Sequence, residues 1–456
     1  MGQTIDISST KRDGERVSFR NSYGISNFNV ESRGKIELTD DDKDIKSLSS
    51  DGYLEITKTV FGNRRAIVIT PEVNGVKREY YEGRTKVPFD PEGRKWLTEI
   101  LPELVRSTTI GAESRVNRFY RQGGSKSVVE EIARLESDYV KVYYASLLMA
   151  LNVPVSDYAM ITSQIAASME SDHYMTEFLQ KNMNKFMQSK QATEAVLMAT
   201  EKMESDHYKT IVIKEALDFS PASLENIRII LPATTHMESD HYKTEILSSL
   251  LKQNNLTDAI IAEILNTSKS IESDFYRSNV LNQALGKQGL SAASFGKVLE
   301  SVKDIESDHY KTEVLTHLLR NNLAPEALSN LIDVLSAIES DHYKTTVGNE
   351  ILKNQNLSDE IFQNLLDVMG RQDNDYYTST FLQAAIKRTN LSKQNMITIL
   401  QAAGSIDSDH YITQVLTDIA PKIKATNDAS LKETYRLAAK KIESDTYYGR
   451  ALKAIE

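Results

Sequence analysis

The chain has 456 residues, a formal net charge of -10 and no cysteine. That acidic balance argues against a nucleic-acid partner, which needs a concentrated basic face. Missing cysteines exclude disulfides, thiolate nucleophiles and cysteine zinc sites, and no apolar run reaches the roughly 18 residues of a membrane span.

Residues 1–92 read as a small β-rich domain. The start, Met1-Gly2-Gln3-Thr4, carries neither a basic nor an apolar leader segment, which fits a cytosolic start or one following a removed leader. Val17-Ser18-Phe19-Arg20, Lys35-Ile36-Glu37-Leu38 and Tyr53-Leu54-Glu55-Ile56 alternate as strands with one buried face. Ala66-Ile67-Val68-Ile69 reads as a continuous apolar strand. Asp13-Gly14, Asp51-Gly52, Gly62-Asn63 and Asn74-Gly75 mark turns. The last predicts a tight hairpin pairing 67–73 with 76–81. The acid run Asp40-Asp41-Asp42-Lys43-Asp44 lacks calcium-loop spacing and reads as a solvated turn.

Residues 93–135 read as a helical linker and a degenerate first repeat. Asp90 is expected to cap a helix with Pro91 in its first position, and Pro102 to end or kink that helix. The stretch 116–121, the Gly123-Gly124 break and 128–135 then resemble the atypical terminal unit of an array.

From 136 to 456 one phrase, commonly Glu-Ser-Asp-His-Tyr-Lys, returns ten times, mostly at a step of 34 residues. It starts at Glu136, Glu170, Glu204, Glu238, Glu272, Glu306, Glu339, Asp373, Asp407 and Glu443. Such a period predicts stacked units, none of which can bury its apolar face alone. Val314, Leu315, Leu318 and Leu319 form one helical stripe after the phrase. Leu328, Leu331, Ile332, Leu335 and Ile338 form another before its next copy. The fold expected is therefore mostly α, a right-handed α-solenoid of about ten helical hairpins behind a small all-β domain.

Within the phrase, Ser and Asp are expected to cap the following helix. The repeat-motif residues assigned are Asp172, Asp206, Asp240, Asp274, Asp308, Asp341 and Asp409, with Tyr174, Tyr208, Tyr242, Tyr276, Tyr310, Tyr343 and Tyr411. Each Tyr is expected to pack between units with its hydroxyl bonded nearby. Lys209, Lys243, Arg277, Lys311 and Lys344 are expected to form inter-unit ion pairs. The column His173, His207, His241, His309, His342 and His410 suggests a metal ladder. Packed helices lie about 8–10 Å apart, however, too far for neighbouring copies to share one zinc ion. Tyr139, Phe275 and Tyr376 also replace His in other copies, so a structural role is preferred. At the other connection, Asn255, Gly289, Asn322, Asn356 and Asn390 are expected to end helices in the left-handed conformation. Thr257, Ser291, Ser358 and Ser392 then cap the next helix, with Pro325 in a first-turn position. Asn255-Leu-Thr257, Asn356-Leu-Ser358 and Asn390-Leu-Ser392 match glycosylation acceptors only because these columns coincide.

The period matches tetratricopeptide repeats, but the Trp, Gly and Tyr pattern of that family's first helix is missing. The Ser-Asp corner followed by a basic residue resembles HEAT-like α-helical repeats. The β-rich region, Leu101-Pro102-Glu103-Leu104-Val105-Arg106, Ile110-Gly111-Ala112-Glu113-Ser114-Arg115-Val116 and the repeated units resemble soluble regions of bacterial sensor-type membrane metallopeptidases. The resemblance does not carry their catalytic activity over, because the chain has no His-Glu-x-x-His and no membrane segment.

No phosphate loop or nucleophile elbow is present, so no catalytic, cofactor-binding or metal-ligating residue is assigned, and no cofactor is expected. The expected function is a non-enzymatic scaffold or protein-binding module, with another protein as partner and no membrane insertion. The alternatives are a sensor or regulatory region of a membrane metallopeptidase system and a metal- or ligand-responsive solenoid. The compartment is not fixed by the sequence; an extracytoplasmic or periplasmic one is favoured over the cytoplasm.

Overall fold

The computed structural model describes residues 4–10, 16–23, 26–219, 223–254, 256–287, 290–370, 372–388 and 390–456. They belong to two compact units, Met1–Pro221 and Ala222–Glu456. The expected turn at Asp13-Gly14 and the expected helix stops at Asn255 and Gly289 lie outside the described residues.

The first unit begins with nine described strands: β1 (Thr4–Thr10), β2 (Arg16–Tyr23), β3 (Ser26–Arg33), β4 (Ile36–Leu38), β5 (Ile45–Leu48), β6 (Tyr53–Val60), β7 (Asn63–Glu72), β8 (Gly75–Glu82) and β9 (Thr85–Val87). Among the described residues, seven form one antiparallel sheet in the order β1-β2-β3-β6-β7-β8-β9, and β4 pairs with β5 separately. The alternation in the sequence sets the buried face: Val17, Phe19, Leu54 and Ile56 point into the core, while Ser18 and Arg20 are exposed.

The β7–β8 hairpin sits one residue earlier than expected. Glu72 pairs with Gly75 and Ile67 with Tyr80, so Val73 and Asn74 form the loop. Gly75 takes φ +134 as the first residue of the returning strand, a conformation that suits glycine. Val73 is therefore left at the tip, 97% exposed.

Helix α1 (Arg94–Ser107) covers the sheet. Its Trp96, Leu97, Ile100, Leu101, Leu104 and Val105 share one core with Val30, Ile56, Ile67, Ile69 and Tyr80. Asp90 does not cap this helix; its carboxylate instead accepts from Arg94, and Gly93 occupies the N-cap. Nor does Pro102 end it, because burial of Leu104 and Val105 beyond the proline holds the last turn in place. Helix α2 (Ala112–Ile132) shows the expected break, with non-helical backbone at Gly123 and Gly124.

The repeats follow as helical hairpins. In the first unit, α3 (Asp138–Ala150) is followed by Tyr158–Ser168, then Asp172–Phe186 by Lys190–Thr200, and then Asp206–Phe219. In the second unit the described hairpins begin at Asp240, Asp274, Asp308, Asp341, Asp375 and Asp409, and Asp445–Ile455 is a final first helix. Within each unit, first helices pack on first helices and second on second. Both predicted stripes are buried: Val314, Leu315, Leu318 and Leu319 on one helix, Leu328, Leu331, Ile332 and Leu335 on the next. The chain is thus mostly helical, a helical repeat protein preceded by an antiparallel sheet. The one 36-residue step is taken up by the long helix Asp409–Thr426, which ends at Asn427 in the left-handed conformation, φ 53.

Candidate binding surface: the repeated corner

The corner phrase works between successive repeats rather than within one. Ser171, Ser239, Ser273, Ser307, Ser340, Ser408 and Ser444 stand at N-caps with extended backbone, but their hydroxyls accept no hydrogen bond from the helix. The aspartate, one residue later, is already inside the first turn and reaches the next copy. Asp138 accepts from the N–H groups of Glu170 and Ser171 at 2.9 and 2.6 Å. Asp172 does the same to Glu204 and Ser205, Asp240 to Glu272 and Ser273, and Asp274 to Glu306 and Ser307. Asp308 accepts from Glu339 and Ser340 at 3.0 and 2.8 Å. Asp341 accepts from Asn374, Asp375 from Ser408, and Asp409 from Glu443 and Ser444. Asp206 opens its helix and lies 3.8 Å from Lys209. The expected local cap is therefore corrected to a latch, although an acid in the first turn still complements the helix dipole.

In three copies the cation of the phrase adds to that latch. Lys141 donates to the Ser168 carbonyl at 2.6 Å, and Lys243 to that of Ser270 at 2.7 Å. Arg277 donates to the Asp304 carbonyl at 2.9 Å and to that of Ile271. The Ser168, Ser270 and Asp304 carbonyls lie at or just beyond the end of the helix leading into the next corner, where no later residue of that helix can satisfy them, whereas Ile271 belongs to the corner of Arg277 itself. Aspartate and cation thus grip opposite sides of one loop. The expected inter-unit ion pairs are instead internal to a copy: Asp138 with Lys141 at 2.9 Å and Asp240 with Lys243 at 3.5 Å. Burial pushes the Asp138 carboxyl up, but the Lys141 ammonium and the N–H groups of Ser171 and Glu170 hold it below its usual value.

The second connection follows the sequence more closely. Thr257, Ser291, Ser358 and Ser392 accept the expected cap bonds from Ile260, Ser294, Ile361 and Asn395, and Pro325 occupies the first turn. The left-handed stops do not occur at Asn322 or Asn356, because the preceding helices end earlier, at Leu318 and Asn354; the backbone at Asn390 adjoins a residue outside the described ones. Sequence reasoning also missed Gln355. Buried between neighbouring repeats, it donates to the carbonyls of Leu319 and Asn321 and accepts from Leu323 N–H. Its column carries an amide in other copies too, at Asn254, Gln288 and Asn321, and that recurrence is the signal that could have found it.

The acid run is a solvated turn only at Asp40, Asp41 and Lys43, which are exposed. Asp42 bridges Arg115 and Arg118 at 3.0 and 2.7 Å, and Asp44 binds Arg78 and Arg94. Arg115, 2% exposed, also meets Glu131 at 2.6 Å and the Tyr144 hydroxyl at 2.6 Å. Burial opposes the Arg115 charge, but Tyr144, Asp42 and Glu131 outweigh it and keep the guanidinium protonated. Burial likewise raises the Tyr144 phenol.

With the polar letters engaged in latches, the aromatic letters form the surface. His173, His207, His241, His309, His342 and His410 are all exposed, and Tyr174, Tyr208, Tyr242, Tyr276, Tyr310, Tyr343 and Tyr411 are half-buried. The expected packing of Tyr between repeats is met on one side of the ring, which contacts the preceding copy's aromatic in a tilted or edge-on arrangement. In the second unit this alternation is unbroken. Tyr242 meets His241, which meets Tyr276; Phe275 meets Tyr276 and Tyr310; His309 meets Tyr310 and Tyr343. It continues through His342, Tyr377, Tyr376, Tyr411 and His410 to Tyr447. Ring centroids are 5.1 Å apart between Phe275 and Tyr276, and 5.9 Å between His309 and Tyr343. Tyr343 hydroxyl stands 3.5 Å from His309 Nδ1. Aromatic replacements of His keep the ribbon continuous, which explains why Phe275 and Tyr376 are accepted there. Phe275 and Tyr376 are 49% and 50% exposed.

Carboxylates border the ribbon. The first letter of every copy, from Glu136 to Glu443, is exposed. One helical turn beyond the histidine, Glu177, Glu245 and Glu313 share its face, with Glu245 4.0 Å from His241. Among the described residues, no three His, Cys, Asp or Glu side chains gather to hold a metal ion, and no helix is long and apolar enough to cross a membrane.

No family model and no curated protein matches the chain. Two solved structures are similar over much of its length. One, from work titled "Computational Design of Self-Assembling Cyclic Protein Homooligomers", is 10% identical, covering 72% of this chain and 96% of its own at a TM-score of 0.12. The other, a "Circular tandem repeat protein with novel repeat topology and enhanced subunit contact surfaces", is 11% identical, covering 80% of this chain and 78% of its own at a TM-score of 0.14. At such scores the likeness bears on neither arrangement nor function, and the repeat architecture rests on the paired helices and latches of this chain.

Proposed function

We propose that the chain is a non-enzymatic protein-binding scaffold and that the aromatic ribbon of its repeats is the binding surface. The observation that carries this reading is the exposure of all six histidines of the column, and of Phe275 and Tyr376 where they replace it, beside half-buried Tyr rings. Tyr offers large, rigid contact area at low entropic cost, and aromatic side chains are enriched where partners bind. The aspartates latch onto the next copy, with Lys141, Lys243 and Arg277 beside them, so the repeated phrase combines assembly and display.

The resemblance to sensor-type membrane metallopeptidases speaks to architecture under this reading. Its linker letters are occupied structurally: Leu101, Leu104 and Val105 lie in the sheet core, and Arg115 lies in the buried ion network. A regulatory partnership with a peptidase is one form the scaffold role can take.

The test compares the full chain with a His309→Ala/His342→Ala/Tyr376→Ala variant, using photo-crosslinking in native extract followed by mapping of the crosslinked residues. Partners crosslinked at the ribbon of the parent and lost from the variant support the proposal. Partners retained equally by both, or crosslinked only elsewhere, refute the ribbon as the surface.

A further inference from the structure

We infer that the ribbon of the second unit takes an extended basic peptide in the polyproline II conformation, one turn to each repeat. The inference rests on the scaffold reading and names its occupant.

Three observations select this chemistry. The ribbon is built on the first turns of helices whose corners are latched, so no unpaired strand edge runs along it for a peptide to extend by main-chain pairing. Recognition must come from side chains, and those offered are aromatic. Polyproline II is the backbone that aromatic surfaces recognise by side chains, because its backbone makes no internal hydrogen bonds and it is pre-extended.

Spacing is the second observation. Packed helices of successive repeats lie about 8–10 Å apart, and a three-residue polyproline II turn advances about 9 Å. Every third residue of the peptide therefore meets an equivalent rung. A β-strand, whose same-face repeat is about 6.7 Å, drifts out of phase after one unit.

Charge is the third. Glu272, Glu306, Glu339, Asp373, Asp407 and Glu443 are exposed at the corners, and Glu245 and Glu313 lie one turn beyond the ring column. A Lys or Arg in each triplet meets a carboxylate and a ring face together, and the ring face attracts the cation in its own right. An acidic peptide meets repulsion at every step.

The experiment measures fluorescence anisotropy of labelled Pro-Pro-Arg triplet peptides of increasing length against the full chain. Pro-Pro-Glu peptides and flexible Gly-Ser-Arg peptides of the same length are controls. Affinity for the Pro-Pro-Arg series should rise with each added triplet and fall with salt, with both controls weaker by about tenfold or more. Phe275→Ala/His309→Ala/Tyr376→Ala and, separately, Glu272→Lys/Glu306→Lys/Glu339→Lys should each weaken it by about tenfold. All six positions are exposed, so an unchanged circular dichroism spectrum is expected for both variants. Equal binding of the Gly-Ser-Arg or Pro-Pro-Glu controls, lost in the aromatic variant, overturns the occupant and leaves the scaffold reading standing. Binding unchanged in both variants, or no binding by any peptide, overturns the inference, while the crosslinking result decides the scaffold reading separately.

Discussion

Replacing Asp308 by alanine separates a latch from a cap. The carboxylate accepts from Glu339 N–H at 3.0 Å and from Ser340 N–H at 2.8 Å, and both donors belong to the next copy. The Ser340 bond is part-buried, so its loss leaves a poorly solvated donor, which costs about 1–3 kcal/mol. The Glu339 bond is exposed and water replaces most of it, leaving about 0.5–1 kcal/mol. Together the change should weaken the junction between these two copies by about 1.5–4 kcal/mol, whereas a lost cap costs about 0.5–2 kcal/mol within its own helix. Global melting is a poor probe, because repeat arrays need not unfold as one cooperative unit. Native-state hydrogen exchange read by mass spectrometry resolves the two cases. Protection should fall across the start of Asp341–Asn354, where the latch ends, and Asp308→Asn, which keeps an acceptor, should lose less. Faster exchange confined to Asp308–Leu318 would falsify the latch.

Serines that share a letter should differ in cost. Ser291→Ala removes a hydroxyl that caps Ser294 N–H and bonds Asp258, and should cost about 1–2 kcal/mol by local exchange, whereas Ser307→Ala should cost under about 0.5 kcal/mol. In the first unit, Arg115→Met strands Glu131 in the core and should destabilise by about 3–5 kcal/mol in urea titration; a change below about 1 kcal/mol contradicts the buried network. Asp138 adds a pH dependence. Its folded value lies below the ordinary 3.8, so its contribution is complete above the unfolded value and fades as pH falls through the lower folded one. Exchange at Glu170 and Ser171 should therefore accelerate below about pH 4, and Asp138→Asn should remove that acceleration. Gly111→Ala forces a side chain onto φ +69 and places its Cβ 2.1 Å from Leu38, so thermal unfolding should shift down by several degrees, roughly the effect of a 1–3 kcal/mol loss.

Patterns with short reach were legible. The apolar stripes flanking Asp308, the alternation of Val17 and Phe19, and the caps at Thr257, Ser291, Ser358 and Ser392 each depend on residues within one or two turns of each other. The hairpin at Asn74-Gly75 was legible in kind but not in register, because a glycine with positive φ serves equally as a turn residue or as the first residue of the returning strand.

The role of the corner phrase was decided only by tertiary structure. A carboxylate in a first helical turn can accept from its own helix or from any donor brought beside it. For Asp308 the donors lie 31 and 32 residues along the chain, and no local pattern distinguishes the two uses. The same holds for Asp42, an acid in a loop until Arg115 and Arg118 of a distant helix arrive. Sequence by itself determined the repeat, its period and the amphipathic faces, because helical periodicity and burial follow from local residue order. Stacking decided which polar letters turn inward to join copies and which aromatic letters stay at the surface, because those choices depend on the neighbour across the interface.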